Sequence, residues 1–258
     1  MLISAKSVGL SVTRAWQRWC SVPGNAIPRA LDASSVGRSA LQTSEPRQVL
    51  NRGTVHTSHS RNWVSRVSLT RLLREVRACQ NCVADLPLGP RPVLQLAGSA
   101  RVLVIGQAPG SKVHATGIPW NDASGDRLRE WLQLERARFY DKTKVAILPM
   151  GFCYPGPGEN SGDKPPRPEC APLWHERLLK HLPDLQLTLL VGQYAQRHYL
   201  GATRQASMTA TVRAFSTYVP QYFPLPHPSW RSLIWMRKHP WFEQAVLPAL
   251  RKAVRKAI

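Results

Sequence analysis

The sequence predicts an α/β fold in which a mainly parallel sheet is covered on both faces. Three observations lead there. The runs "RVLVIG" (101–106), "VAILPM" (145–150) and "LTLLVG" (187–192) read as short buried strands. Each precedes a turn and then a helical pattern. Strands alternating with helices pack as a parallel sheet between helical layers. In such sheets ligands bind at the carboxyl ends of the strands. The Gly106–Gly110 turn therefore lies where a site is expected.

The elements follow in order. Residues 1–64 show no sustained period and carry no acidic residue before Asp32. That composition suits a transit peptide, with "VTRAWQRWCSV" as its amphipathic part, or a disordered extension. Order is expected within 65–258, as one domain. Leu69, Leu72, Leu73 and Val76 share one face, so "SLTRLLREVRAC" reads as a helix. Further helices are expected near 124–134, where Leu128, Trp131 and Leu132 align, and near 171–182, 193–200 and 240–256.

Composition narrows the partners. With 35 basic and 15 acidic residues the net charge is +20, which favours a polyanion, most often nucleic acid. The excess is not confined to the first 65 residues, which hold eight basic and two acidic residues. No apolar window of 18 or more residues occurs, so no membrane helix is expected.

Four of the five cysteines form a pattern. Cys79 and Cys82 make a C-x2-C pair, and Cys153 and Cys170 follow after a gap of 70 residues with 16 between them. Two such pairs can meet and hold a metal through four thiolates, as an iron–sulfur cluster or as zinc. Disulfides fit poorly with a chain that gives no other sign of secretion. The plainer reading makes Cys153 and Cys170 small core residues. However, "CYPGPGENSGDKPPRPEC" holds five prolines and three glycines between these two cysteines, and so long an irregular loop needs something to fix it.

Taken together, "GQAPG" after a strand, "TGIPW", "SGDRL", the four cysteines and "HPS" resemble the uracil-DNA glycosylase superfamily over about residues 69 to 250. The similarity is greatest to its iron–sulfur branches of bacteria and archaea. The resemblance implies a three-layer α/β/α domain around a central, mainly parallel four-stranded sheet. It implies a [4Fe–4S] cluster on Cys79, Cys82, Cys153 and Cys170, with zinc as the alternative. It implies a base pocket walled by Gly106, Ala108, Pro109 and Gly110, with Trp120 in the place of the ring that stacks on an extruded base. His227 matches the histidine that donates to the uracil carbonyl. Pro228, Ser229, Trp230 and Arg231 would meet the DNA. The expected partner is DNA carrying uracil or another deaminated base, bound by a monomer. The expected compartment is the bacterial cytoplasm, or the mitochondrion if residues 1–64 are a transit peptide.

The departures from the family pattern are specific. Gln107 replaces the acid of the iron–sulfur branch's first motif, and Ala108 stands where the best-known branch has its aspartate. "LPMGFC" (148–153) lacks the amide that usually reads the uracil edge. Asp122 in "NDASG" fits the aspartate that another iron–sulfur branch places before its S-G.

Cleaving a base–sugar bond builds positive charge on the sugar and negative charge on the base. Asp122 can face the first charge. His227 and the 106–110 amides can face the second, and Gln107 is the remaining candidate in the turn. Asp122 could instead cap the following helix. Asp126 and Arg127 read as a helix first turn and a solvated face. His114 reads as structural, and at least one of Trp235 and Trp241 as core. Three functions are consistent with these residues: a DNA repair glycosylase, a binding member of the same fold with altered or lost catalysis, and a zinc-stapled binding module.

Overall fold

The computed structural model describes residues 68–159 and 162–258; the readings for 1–64 lie outside the described residues. Helix α1 (Leu69–Arg77) starts where the Ser68 hydroxyl accepts from the Arg71 N–H. Then come β1 (Val102–Ile105), α2 (Ser111–Thr116), α3 (Ala123–Leu132), α4 (Arg136–Phe139) and β2 (Val145–Ile147). They are followed by α5 (Cys170–Leu179), β3 (Leu187–Val191), α6 (Gln193–Leu200) and α7 (Met208–Arg213). The last elements are β4 (Tyr222–Leu225), α8 (Arg231–Lys238) and α9 (Leu247–Ala257), which a π-helical turn, Phe242–Val246, precedes. No helix among the described residues is long and apolar enough to cross a membrane.

The sheet runs β2-β1-β3-β4 and every pairing is parallel. Successive strand residues feed opposite faces. Val102, Val104, Leu189 and Val191 join Leu128, Trp131, Phe242 and Leu250 on one side. Leu103, Ile105 and Leu190 join Leu72, Val76, Trp174 and Leu178 on the other. Both faces are therefore buried, which is why these strands are continuous apolar runs. The result is the expected three-layer α/β/α domain with four parallel strands.

The fourth strand, "YFPL", is the one the apolar runs do not single out. Pro224 has no N–H to give a ladder, and it sits on an edge strand, where that deficit is tolerated. Behind the sheet, Gln196 is fully buried, and its amide donates to the Leu225 carbonyl at 2.8 Å. The same amide also reaches the Leu190 carbonyl at 3.4 Å, so Gln196 of α6 bridges the ends of β3 and β4, after which the "PHPS" segment departs.

A second buried polar group fixes the end of β2. His175, on α5, has its Nε2 3.0 Å from the Pro149 carbonyl and its Nδ1 2.6 Å from the Tyr199 hydroxyl. A carbonyl only accepts, so Nε2–H donates and Nδ1 accepts from Tyr199. Burial lowers the His175 pKa to about 4, with a smaller opposing effect from Pro149. Below pH 6.5 the unfolded chain binds a proton that the folded chain refuses. The stabilisation is complete above pH 6.5 and lost as pH falls towards 4. We expect the unfolding free energy from urea titrations to drop across that window by on the order of 3 kcal/mol, and His175→Asn to flatten this part of the pH slope.

Candidate active site

The ends of all four strands meet at one edge. β1 gives way to Gly106–Gly110, which is laced to the end of β2: Met150 N–H donates to the Gly106 carbonyl (2.9 Å) and Gly151 N–H to that of Gln107 (3.0 Å). Gly192, at the end of β3, has φ +87°, and a Cβ there would lie 3.5 Å from the His227 Cβ. The cleft at this edge is about 40 Å³ and is lined by Gly106, Gln107, Ala108, Pro109, Gly110, Trp120 and Asp122, among others.

Trp120 forms the centre of this arrangement. Its φ is +56°, unusual for a bulky residue. Two bonds hold the backbone there. The buried Arg129 donates to the Trp120 carbonyl (3.2 Å), and the Tyr140 hydroxyl donates to that of Pro119 (2.9 Å). Arg129 also donates to the Tyr140 oxygen at 3.2 Å and pairs with Asp126. The Trp120 carbonyl packs against Gly125, where an added Cβ would stand only 1.7 Å from it. This explains the glycine of "SGD". The indole lies over Gly106, where a Cβ would be 2.7 Å from the ring. It faces the His227 ring at a centroid distance of 5.6 Å and a tilt of 32°.

Asp122 lines the cleft and also caps α3, its Oδ1 accepting from the Gly125 N–H at 2.8 Å. The reading of Asp122 as a helix cap is borne out, and capping occupies one of its two oxygens. Burial lowers the His227 pKa, and the Asp122 charge opposes that only in part. A neutral imidazole donates a hydrogen bond without giving up its proton. Gln107 lines the cleft, while its Nε2 donates to the Lys164 carbonyl at 3.2 Å.

Arg127 departs from the reading as a solvated face. Its guanidinium donates to the Pro228 carbonyl at 2.9 Å, tying α3 to the "HPS" segment. Pro228 is buried, and Ser229 offers its carbonyl to the Ser232 hydroxyl (2.6 Å) at the start of α8. Trp230 is 58 % exposed, with Leu233 and Ile234 exposed beside it. The Arg231 guanidinium lies 4.9 Å from the Trp230 ring centroid. Trp235 and Trp241 instead pack on the core, Trp235 donating to the Thr209 hydroxyl at 2.9 Å. His114 is buried on α2, with no partner for its Nδ1 among the described residues.

The Cys153–Cys170 segment turns back on itself. Gly158 N–H donates to Gly162 (2.6 Å) and Lys164 N–H to Gly156 (2.9 Å). Asp163 pairs with Pro157 in an antiparallel bridge and reaches the motif turn, its Oδ2 lying 3.4 Å from where a Gly110 Cβ would be. The residue as a whole is exposed, yet desolvation of its carboxyl, and then the Asp122 charge, raise its pKa. Sequence reasoning missed Asp163, Arg129 and Tyr140.

Cys79, Cys82, Cys153 and Cys170 carry free thiols, so no disulfide joins them. They are close enough for each of the other three to raise the Cys170 pKa, although burial is the larger cause and carries it to about 12. Cys153 is raised to about 11, again mainly by burial. Donors point at the sulfurs: Phe152 N–H at Cys170 (3.3 Å), Arg91 N–H at Cys153 and the Arg167 guanidinium at Cys82. The Arg167 Nε is buried without a partner among the described residues. No three His, Cys, Asp or Glu among the described residues are grouped as ligands of a metal ion.

The fold and site define an α/β protein with a polar cleft at the carboxyl ends of a parallel sheet, set between a glycine-rich turn and an "HPS" segment. A family model described as the uracil DNA glycosylase superfamily matches residues 95–251. The chain belongs to that superfamily.

The Trp120–Gly125 contact gives a direct test. Gly125→Ala forces a Cβ into a backbone carbonyl, and we expect a loss of about 3 kcal/mol, measured by chemical denaturation. Stability equal to wild type would show that the Trp120 backbone is not held as described.

Proposed function

We propose that this protein is a DNA repair glycosylase that hydrolyses the bond between deoxyribose and uracil, or a related deaminated base, after the nucleotide leaves the helix. The observation that carries the reading is the convergence of Gly106–Gly110, Trp120 and Asp122 on one cleft, with the His227 ring against that of Trp120. The superfamily match supports the DNA partner, as does the net charge of +20.

The roles follow from charge. The free oxygen of Asp122 faces the sugar as positive charge grows there. His227, neutral, donates to the base carbonyl as the base takes the bonding electrons. The backbone of Gly106–Gly110 approaches the nucleotide closely because its glycines carry no side chain. The cleft has room for a few water molecules but not for a base. The Trp120 ring therefore shifts to admit a base and stacks on it, while its backbone stays clamped by Arg129. Trp230, Leu233 and Ile234 supply the bulk that fills the gap left in the duplex.

The four cysteines fit a [4Fe–4S] cluster. The partly buried thiols of Cys153 and Cys170 need a cation to ionise, and the N–H groups aimed at the sulfurs suit a thiolate-bound centre. Zinc would draw the sulfurs to within roughly 3.8 Å of one another, whereas a cluster holds them farther apart. When bound, the cluster supplies structure: it ties the end of α1 to the Cys153–Cys170 segment. Anaerobically purified protein is expected to absorb near 400 nm, which zinc would not produce.

Single-turnover assays on oligonucleotides carrying uracil, hypoxanthine or xanthine test the reading. We expect free base from at least one. Asp122→Asn and His227→Ala should each lower the rate by about 10²-fold or more. Salt-sensitive DNA binding without release of any base would favour the non-catalytic reading.

A further inference from the structure

The Cys153–Cys170 segment carries more than cysteines. Its turn-back places Asp163 against Gly110, a residue of the cleft wall, and the Gln107 amide fastens the next residue, Lys164, to the same turn. A carboxylate near a site for polyanionic DNA is electrostatically unfavourable unless it does something there. Asp122 cannot serve both halves of the reaction freely, since one of its oxygens is committed to the α3 N-terminus.

We propose that Asp163 is the second catalytic carboxylate, accepting the proton of the attacking water while Asp122 faces the sugar. This rests on the glycosylase reading above. The bond from C1′ to the base nitrogen breaks and its electron pair leaves with the base. A bond forms between the water oxygen and C1′. The water proton passes to Asp163 and then to solvent, and the base anion takes a proton from solvent. Two carboxyls in unlike surroundings divide such work when one has its pKa raised towards the working pH. The raised pKa of Asp163, set by desolvation and the Asp122 charge, fits that division. The titratable and charged groups around Asp163 are Asp122, at the start of α3, Tyr154, after β2, and Lys164, next in the chain.

Single-turnover base release by cluster-loaded full-length protein tests the assignment across pH. Asp163→Asn is expected to lower the rate by about 10²-fold or more, to leave affinity for the same oligonucleotide unchanged or tighter, and to lose the acid limb of the wild-type pH profile. Asp163→Glu should keep that limb and part of the rate. An Asp163→Asn protein with wild-type rate and acid limb overturns the role of Asp163 alone. A wild-type protein that releases no deaminated base overturns the glycosylase reading and this assignment together.

Discussion

The site depends on holding one bulky residue in a backbone conformation that it would not adopt unaided. Trp120 sits at φ +56°, which costs of order 1–3 kcal/mol without support. The support is a buried arginine and a tyrosine hydroxyl bonded to consecutive carbonyls, and a glycine that lets one of those carbonyls approach. That conformation brings the indole onto Gly106 and opposite His227. The S-G of the first motif is thus a packing requirement made by Trp120. Arg127, two residues before Arg129, holds the Pro228 carbonyl. Two arginines on different faces of α3 therefore position Trp120 and the "HPS" segment, which are about a hundred residues apart.

The irregular Cys153–Cys170 segment is the second organising piece. It is laced to the motif turn through Gln107 and Lys164, and its cysteines stand near the end of α1. In the proposed enzyme a cluster on those cysteines sets the path of the segment and hence the position of Asp163. Cofactor and chemistry would then be linked by packing, with no electron transfer required.

Much of this was legible in the sequence, and the misses have physical reasons. Three strands stood out because burial on both faces makes them unbroken apolar runs. β4 did not, because an edge strand can be short and hold a proline. Helices α2, α4 and α7, of four to six residues, are too short to show a period. α8 was hidden because it points Leu233 and Ile234 outward. The turn, Trp120, Asp122 and His227 were singled out through motif spacing, and the structure places them near one another. Arg129 and Tyr140 were not, since their partners are backbone carbonyls that no side-chain pattern reports. Asp163 was missed because its place depends on the path of a loop rich in proline and glycine.

The most direct test of a base-flipping cleft built on the Trp120 clamp is the fluorescence of 2-aminopurine placed beside uracil in duplex DNA. Binding of the Asp122→Asn protein should raise the signal strongly as the uracil leaves the stack, and Gly125→Ala introduced into that variant should blunt the rise without abolishing binding. Tight binding with no rise in fluorescence would contradict the account.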